Sequence, residues 1–207
     1  MLDAEVTEAA ALLRIARDAA AAGVDVIQLR DKHCSDGVYI AFAKELKGCI
    51  RGRPLFIIND RVHLAGEIDA DGVHLGQDDM PLAEARRMLG PDMLIGSSCQ
   101  NMPHLKAAHE QGADYVGFGS VFKTQTKPGR QPMDLALLAQ AAQISTIPLF
   151  AIGGIALENV EAVLARGVTR VALTRAVCEA EDVKGVVKEF KRILGKKEIA
   201  GAGVVQW

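Results

Sequence analysis

The sequence predicts an α/β domain folded as a (β/α) barrel, and two observations support this prediction. Short apolar runs rich in Val and Ile alternate along the chain with stretches of helical spacing. Runs of this length without polar alternation are typical of strands that are buried on both faces, as in parallel sheets. Polar and basic residues then follow the predicted strands, at the end where barrel enzymes build their sites.

Seven strands and seven helices are predicted, and the chain opens with a helix. A doubly wound parallel sheet accommodates seven strands, whereas a barrel of eight needs one more. The strands are Val26–Leu29, Leu55–Ile58, Gly72–Leu75, Leu94–Gly96, Tyr115–Phe118, Leu149–Ile152 and Val171–Leu173. The helices are Thr7–Ala22, Gly37–Cys49, Pro81–Leu89, Met102–Gln111, Asp134–Gln143, Leu157–Ala165 and Asp182–Leu194.

No linker, low-complexity run or change of composition divides the 207 residues. Residues 1–207 are therefore expected to form a single barrel domain. Residues 195–207 form a C-terminal tail, and its segment Val204–Trp207 has the residue types of a short strand. One hypothesis is that this tail closes the barrel between the last strand and Val26–Leu29.

The composition limits the classes of partner. A formal net charge of −2 gives no electrostatic reason to expect nucleic acid or an anionic membrane. No apolar run approaches a membrane span, and the N-terminus lacks the pattern of a signal peptide. The four cysteines are scattered without metal-binding spacing. We therefore expect a soluble cytoplasmic protein; its oligomeric state is left open, and a homo-oligomer is compatible with the sequence.

Two aspartates follow neighbouring predicted strands and are the candidate metal ligands. Asp60 follows the second strand and Asp79 the third, so both belong at the same end of the sheet. Mg²⁺ is usually held by one or two carboxylates together with phosphate oxygens and water. Each residue also has a structural alternative: Asp79 lies two residues before Pro81 and could cap a helix, and Asp60 could pair with Arg61.

A second group of residues has the character of an anion site. Gln28, Arg30 and Lys32 alternate at the end of the first predicted strand, so their side chains share one side. An arginine and a lysine in that position suit a phosphate, although solvated loop cations would have the same sequence.

Two further segments suit a phosphate but are weaker signals. The pair Gly153-Gly154 after the sixth strand allows backbone N–H groups to approach an anion closely, although it could be only a tight turn. The loop 122–132 carries Thr124, Thr126 and Lys127 and is rich in Gly and Pro. His74 lies inside a predicted strand and could point into the mouth of the barrel, but a satisfied core histidine is the preferred interpretation.

The chain resembles thiamine phosphate synthases over residues 20–194. The similarity rests on the phrases VIQLRDK, FIINDR, DGVHLGQDDMP, IGSS, GADYVGFGSVFKTQTK and FAIGGI, in that order and spacing. The resemblance implies a (β/α)8 (TIM) barrel and a Mg²⁺-dependent transferase of thiamine biosynthesis. Such enzymes couple hydroxymethylpyrimidine diphosphate to hydroxyethylthiazole phosphate, so two small phosphorylated substrates are implied, and diphosphate is released.

The resemblance also implies roles for individual residues. Asp60 and Asp79 would bind Mg²⁺, and Arg30, Lys32 and Lys127 would be the catalytic cations. The diphosphate substrate would contact Gln28, Arg30, Lys32, Asn59, Ser98 and Lys127, and the thiazole phosphate would contact Thr124, Thr126, Gly154, Thr174 and Arg175.

Two departures from the family and two alternative functions remain open. The family has a strand before the helix at Thr7, so the usual first strand is expected to be missing from the N-terminus here. The family usually has a small pair that often ends in Ser where this chain has Thr174-Arg175, so Arg175 could add a phosphate contact or crowd the phosphate. A thiazole tautomerase is similar around GSVFKTQTKPG, but it carries a His where Ser120 stands and lacks the Gly-Gln-x-Asp phrase. A non-catalytic phosphate-binding relative is the other alternative.

Overall fold

The protein folds as eight parallel strands that alternate with helices, as described by a computed structural model for residues 1–50, 54–125, 129 and 131–198. The order of the strands in the sheet follows their order in the chain, and each strand pairs with the next in parallel. The predicted (β/α)8 class is therefore confirmed. Within the described ranges the strands are β1 (Leu2–Asp3), β2 (Val26–Arg30), β3 (Leu55–Asn59), β4 (Gly72–Leu75), β5 (Leu94–Cys99), β6 (Tyr115–Phe118), β7 (Leu149–Ile152) and β8 (Val171–Ala172).

Helices connect the strands and cover the outside of the sheet. Two short segments were absent from the sequence prediction: the helical turns after β3, and α8 after β8. The helices are α1 (Ala9–Ala21), α2 (Asp36–Cys49), α3 (Ala65–Ile68), α4 (Leu82–Leu89), α5 (Met102–Glu110), α6 (Leu135–Ile144), α7 (Val160–Leu164), α8 (Arg175–Cys178) and α9 (Val183–Glu198), with a 3₁₀ turn at Val62–Leu64.

The prediction that the first strand is missing was wrong. Leu2 and Asp3 form β1 and pair in register with Leu29 and Arg30 of β2. The amino group of Met1 donates a hydrogen bond to the carbonyl of Leu173, 2.6 Å away, which joins the start of β1 to the end of β8. Two residues are too short to show a strand pattern in the sequence, and their strand geometry depends on the pairing with β2.

The proposed barrel-closing tail falls outside the described residues. Residues 199–207, including Val204–Trp207, are not among them. The edge of β2 for which that segment was proposed is occupied by β1, so the tail is not needed to complete the sheet beside β2.

The core is aliphatic and lies between the sheet and the helices. Leu29, Ile58, Val73 and Val116 on the strands are fully buried, as is Leu12 on α1. Because alternate residues of a strand point to opposite faces, a second set of side chains faces the interior of the barrel. None of the helices in the described part of the chain is both long and apolar enough to span a membrane.

Candidate active site

A cavity of about 360 Å³ opens at the carboxyl ends of the strands. This volume lies within the usual range for sites that bind small molecules. Eleven of the thirteen predicted site residues line it: Gln28, Arg30, Lys32, Asn59, Asp60, Asp79, Ser98, Thr124, Gly154, Thr174 and Arg175. The other two, Thr126 and Lys127, lie outside the described residues.

The two-residue period of β2 explains why three of these side chains reach the same cavity. Gln28, Arg30 and Lys32 line it, whereas Ile27 and Leu29 are buried in the core between the sheet and the helices. The prediction that the three polar side chains share one side is confirmed by this placement. The same alternation brings residues of the neighbouring strands into the cavity.

Arg30 is held by two carboxylates from the N-terminal segment. Its Nη1 lies 2.9 Å from both carboxylate oxygens of Asp3 and 2.9 Å from Glu5 Oε2. Asp3 is completely buried, and Arg30 is only 7% exposed. Hydrogen bonding to Arg30 is the main cause that lowers the pKa of Glu5. The guanidinium is therefore fixed in place and remains charged.

Asp60 and Asp79 are brought together, as predicted from their positions after adjacent strands. Asp60 is half-buried, and its pKa is raised by burial and by its hydrogen bond with the carboxyl group of Asp79; the nearby Lys32 opposes this shift. Asp79 Oδ2 also accepts a hydrogen bond from the backbone N–H of Gly76 at 2.6 Å. Asp79 does not cap α4, because the residue before that helix is Pro81.

The backbone turns sharply at Asp60. Its φ of +66° is in the left-handed region, which non-glycine residues rarely adopt and which is frequent at functional sites. The N–H of Asp60 donates to the carbonyl of His74 at 3.0 Å, which ties the turn to β4. Lys32 Nζ then lies 3.0 Å from Asp60 Oδ2. Asp60 thus pairs with Lys32. The alternative prediction was a pair of Asp60 with Arg61, but Arg61 contacts Asp36 instead.

The carboxylate pair fits a hard divalent cation. Two carboxylates in hydrogen-bonding contact repel each other when both are ionised, and a bound cation would relieve this repulsion. Among the described residues no group of three or more His, Cys, Asp or Glu is arranged to hold a metal. Mg²⁺ does not require one, since it commonly takes one or two carboxylates and completes its shell with water and substrate oxygens.

The interior of the barrel below these residues contains His74. Its Nε2 lies 2.9 Å from Ser98 Oγ and its Nδ1 lies 3.2 Å from the hydroxyl of Tyr115. The interpretation of His74 as a core residue was incomplete, because it also lines the cavity. It is paired with Asn59 in the register of β3 and β4, and Asn59 faces the same cavity.

The opposite side of the cavity is made mainly of backbone and hydroxyl groups. Gly153 and Gly154 both have positive φ values, +103° and +64°. A Cβ on Gly153 would lie 2.1 Å from Ser120 Oγ, and one on Gly154 would lie 2.4 Å from the carbonyl of Lys123. The loop after β6 therefore packs directly on this turn, and only glycine fits at both positions.

The two sides differ in the groups that they present. We call Arg30, Lys32, Asp60 and Asp79 the charged side, and Ser120, Gly153, Gly154 and Thr174 the glycine side. Ser120 Oγ donates to the carbonyl of Phe122 at 2.9 Å, and the N–H of Phe122 donates to the carbonyl of Gly153 at 2.9 Å.

An ion pair lies beside the glycine side. Arg175, the first residue of α8, pairs through Nη1 with Glu179, one helical turn further on, and both residues line the cavity. The Nε of Arg175 is buried and has no hydrogen-bond partner among the described residues.

Cys99 lines the cavity but is not suited to act as a nucleophile. Its side chain is buried, and burial raises the pKa of the thiol to about 11. The thiolate is the reactive form of cysteine, so the thiol is inert near neutral pH.

Comparison with known proteins shows the family of the chain. A family model described as thiamine monophosphate synthase matches residues 2–177. The chain belongs to this family.

Individual relatives agree with the family assignment. A thiamine-phosphate synthase from Prochlorococcus marinus (strain MIT 9313) is 45% identical over 172 residues, which are 83% of this chain and 49% of the relative. The chain thus spans about half the length of several relatives that it matches. A thiamine-phosphate synthase from Halalkalibacterium halodurans is 41% identical over 190 residues, which cover 91% of this chain and 90% of that protein.

The fold also matches that of a solved member of the family. A thiamine phosphate pyrophosphorylase from Pyrococcus furiosus superimposes with a TM-score of 0.84 at 34% identity, and the match covers 94% of this chain and 93% of that one. The thiamine monophosphate synthase assignment therefore rests on sequence and on fold together.

Several residues of the cavity region were missed by sequence reasoning. Asp3 and Glu5 were missed because β1 was not recognised. Glu179 was missed although its spacing of four residues from Arg175 on a helix is a recognisable ion-pair signal. Lys123 and Gln77 also line the cavity, and the side chain of Gln77 donates to the carbonyl of Ser98 at 2.6 Å.

Proposed function

We propose that the chain is a thiamine phosphate synthase, a transferase that joins hydroxymethylpyrimidine diphosphate to hydroxyethylthiazole phosphate and releases diphosphate. The observation that carries the proposal is the division of one cavity into two unlike sides. The charged side combines two carboxylates with an arginine and a lysine, whereas the glycine side combines exposed backbone with hydroxyl groups. Such a cavity suits a metal-bound diphosphate next to a second, simpler phosphate.

The charged side would bind the pyrimidine diphosphate. Arg30 and Lys32 supply positive charge, and the fixed guanidinium of Arg30 needs little reorganisation when the substrate binds. Gln28, Asn59 and Ser98 add neutral hydrogen-bonding groups from β2, β3 and β5. Lys127 is a further diphosphate contact on the basis of the family resemblance.

Asp60 and Asp79 would hold Mg²⁺. When bound, the ion supplies Lewis-acid stabilisation of the negative charge that develops on the leaving diphosphate. Lys32 already pairs with Asp60, so the ammonium lies close to where a diphosphate oxygen would approach the carboxylates.

The glycine side would anchor the thiazole phosphate. Gly154 offers backbone that no Cβ shields, and Thr124 and Thr174 offer hydroxyl groups in the same cavity. Thr126 belongs to this group by resemblance, and Arg175 stands beside it. Anchoring both phosphates fixes the two reacting rings relative to each other, which is worth about 7–11 kcal/mol of a bimolecular barrier.

The chemistry needs no side-chain nucleophile. By resemblance the reaction is dissociative: the bond from the pyrimidine methylene carbon to the diphosphate oxygen breaks, and the thiazole nitrogen then bonds to that carbon. Arg30, Lys32 and Lys127 stabilise the diphosphate as it accumulates charge. The inert thiol of Cys99 is consistent with this scheme.

We further propose that residues 1–207 form one domain that acts in the cytoplasm on these two small substrates, without nucleic acid or membrane as partner. The modest negative charge and the cavity at the carboxyl ends of the strands support this view.

Incubation of the protein with both substrates tests the proposal. Thiamine phosphate and diphosphate are expected to form in equal amounts, only when Mg²⁺ is present. Conversion of the thiazole phosphate alone, without metal and without diphosphate release, would instead favour a tautomerase. Binding of the phosphates without turnover under any of these conditions would favour the non-catalytic alternative.

A further inference from the structure

We propose that Arg61 is a positioning residue, which holds the loop that carries Lys32 against the turn that carries Asp60 and so keeps the charged side arranged for a diphosphate. This role rests on the proposed function, in which the charged side binds the pyrimidine diphosphate. Arg61 is not among the described residues that line the cavity. It would therefore act only through its neighbours.

The guanidinium of Arg61 contacts the backbone on both sides of Lys32. Its Nη2 donates a hydrogen bond to the carbonyl of Cys34 at 2.7 Å and lies 3.2 Å from the carbonyl of Asp31. Its Nε lies 3.3 Å from the same carbonyl of Asp31. Arg61 thus fixes both ends of a short segment of the loop in which Lys32 is the second residue.

The loop also has an internal turn that Arg61 attaches to the sheet. Asp31 Oδ1 accepts hydrogen bonds from the N–H groups of His33 and Cys34, at 2.9 and 3.1 Å. All of these groups belong to the loop itself, so they shape it without connecting it to β3. The donors of Arg61 make that connection, because Arg61 lies two residues after the end of β3.

The side chain of Arg61 is closely packed, which limits its movement. Only 15% of it is exposed, and its guanidinium carbon lies 4.7 Å from the centre of the Tyr39 ring, a cation–π contact. Tyr39 on α2 is buried, and its hydroxyl donates to the carbonyl of Leu29 on β2 at 3.0 Å. Arg61 also pairs with Asp36, the first residue of α2. The guanidinium is therefore fixed relative to both β2 and α2.

Arg61 also belongs to the turn that directs Asp60 into the cavity. The N–H of Arg61 donates to the carbonyl of Asn59 at 2.8 Å, which closes a tight turn around Asp60. The two side chains then leave the chain on different sides, since Asp60 lines the cavity whereas Arg61 packs on Tyr39. Two consecutive residues thus present a carboxylate to the cavity and anchor the neighbouring loop.

The ion pair of Lys32 with Asp60 depends on this anchor. Lys32 Nζ lies 3.0 Å from Asp60 Oδ2, but the side chain of Lys32 is 43% exposed. An ion pair this exposed contributes little by itself, because solvent screens it and a long side chain must be ordered. The shielded donors of Arg61 are the stronger restraint, since hydrogen bonds from a charged group exceed neutral ones in strength. Without Arg61, the loop would have to be ordered when the diphosphate binds, and the affinity would fall.

Steady-state kinetics of Arg61→Gln tests the proposal. KM for the pyrimidine diphosphate is expected to rise about tenfold, because ordering of the loop then opposes binding. The change in kcat should be smaller, because the bound substrate orders the loop again. KM for the thiazole phosphate should stay unchanged, since no described contact joins Arg61 to the glycine side.

Arg61→Lys separates positioning from charge. It keeps the positive charge but loses the paired donors Nε and Nη2, so it should recover only part of the loss. Full recovery of KM in Arg61→Lys would show an effect of charge alone and would overturn the positioning role. If Arg61→Gln did not fold, the same comparison of KM values would be made with Arg61→Lys.

Arg86→Gln is the matched control. Arg86 donates to the carbonyls of Gly90 and Met93, at 3.1 and 2.6 Å, and pairs with Asp114. It makes the same kinds of contact as Arg61, but at the amino ends of the strands. Its loss should lower Tm without changing KM for either substrate. A lower Tm without a change of KM in Arg61→Gln as well would mean a purely structural role and would overturn the proposal.

Hydrogen exchange measures the loop directly. The amides of His33 and Cys34 are expected to exchange faster in Arg61→Gln than in the wild-type protein, because the turn that they close is no longer attached to β3. Arg86→Gln should leave their exchange unchanged. Exchange at the wild-type rate in Arg61→Gln would contradict the proposed anchor.

Calorimetric titration with inorganic diphosphate and Mg²⁺ keeps this role separate from the proposed function. If the protein formed no thiamine phosphate, the proposed function would fail, and binding of the diphosphate would still be measured. Weaker binding by Arg61→Gln than by the wild-type protein and Arg86→Gln supports the role of Arg61. Equal binding by all three proteins, or no binding by the wild-type protein, overturns it.

Discussion

The charged side and the glycine side of the cavity hold their polar groups in different ways. On the charged side every cation is paired: Arg30 contacts Asp3 and Glu5, and Lys32 contacts Asp60. On the glycine side the groups are held by backbone hydrogen bonds, such as those between the Ser120 loop and Gly153. Under the proposed function, charge would lie where charge develops in the reaction, and backbone groups would anchor the second phosphate.

The largest expected effect concerns the support of the charged side. Asp3→Ala removes the buried partner of Arg30 and is expected to lower the free energy of unfolding by about 3–5 kcal/mol, as when a buried ion pair loses one member. Glu5→Ala removes a carboxylate that is one third exposed, so a loss of about 1 kcal/mol or less is expected. Urea denaturation measures both. Equal losses in the two variants would mean that the buried pair of Arg30 with Asp3 contributes no more to stability than the more exposed pair of Arg30 with Glu5.

The next effect concerns the carboxylate pair. Asp79→Ala is expected to lower kcat by about a hundredfold, or about 2.7 kcal/mol, because the proposed Mg²⁺ site would lose one of its two carboxylates. Mg²⁺ should raise the Tm of the wild-type protein but not that of this variant. Asp92→Ala changes an exposed aspartate before β5, at the other end of the sheet, and serves as the control.

Lys127→Ala is also expected to lower kcat, because its ammonium would face the leaving diphosphate. Near-normal turnover in both Asp79→Ala and Lys127→Ala would contradict the proposed binding of the diphosphate on the charged side.

The smallest effect concerns the glycine side. Gly154→Ala places a Cβ 2.4 Å from the carbonyl of Lys123 at a φ of +64°. The turn must shift, and KM for the thiazole phosphate is expected to rise by about tenfold, or about 1.4 kcal/mol. Gly167→Ala has a similar φ of +84° but meets no atom within 4 Å, so it isolates the backbone strain of about 1–2 kcal/mol. If both variants bound the thiazole phosphate equally well, close approach at Gly154 would be unimportant.

Much of the charged side was predictable because its pattern is local. Gln28, Arg30 and Lys32 share a side since strands have a period of two, and the carboxyl ends of β3 and β4 bring Asp60 and Asp79 together. The partners of Arg30 were not predictable, because Asp3 is 27 residues away along the chain. The choice between the core and the barrel mouth for His74 could not be made for a related reason: the apolar run around it indicates burial but not which face opens into the cavity.

The sequence by itself determined the alternation of strands and helices, the family and the residues at the carboxyl ends of the strands. These features depend on side-chain periodicity and on motifs that extend over a few residues. Only the tertiary structure decided that Leu2–Asp3 forms the first strand and that the Nε of Arg175 lies buried beside the glycine side. A two-residue strand and a buried donor are defined by contacts with distant segments, and such contacts exist only once the sheet has assembled.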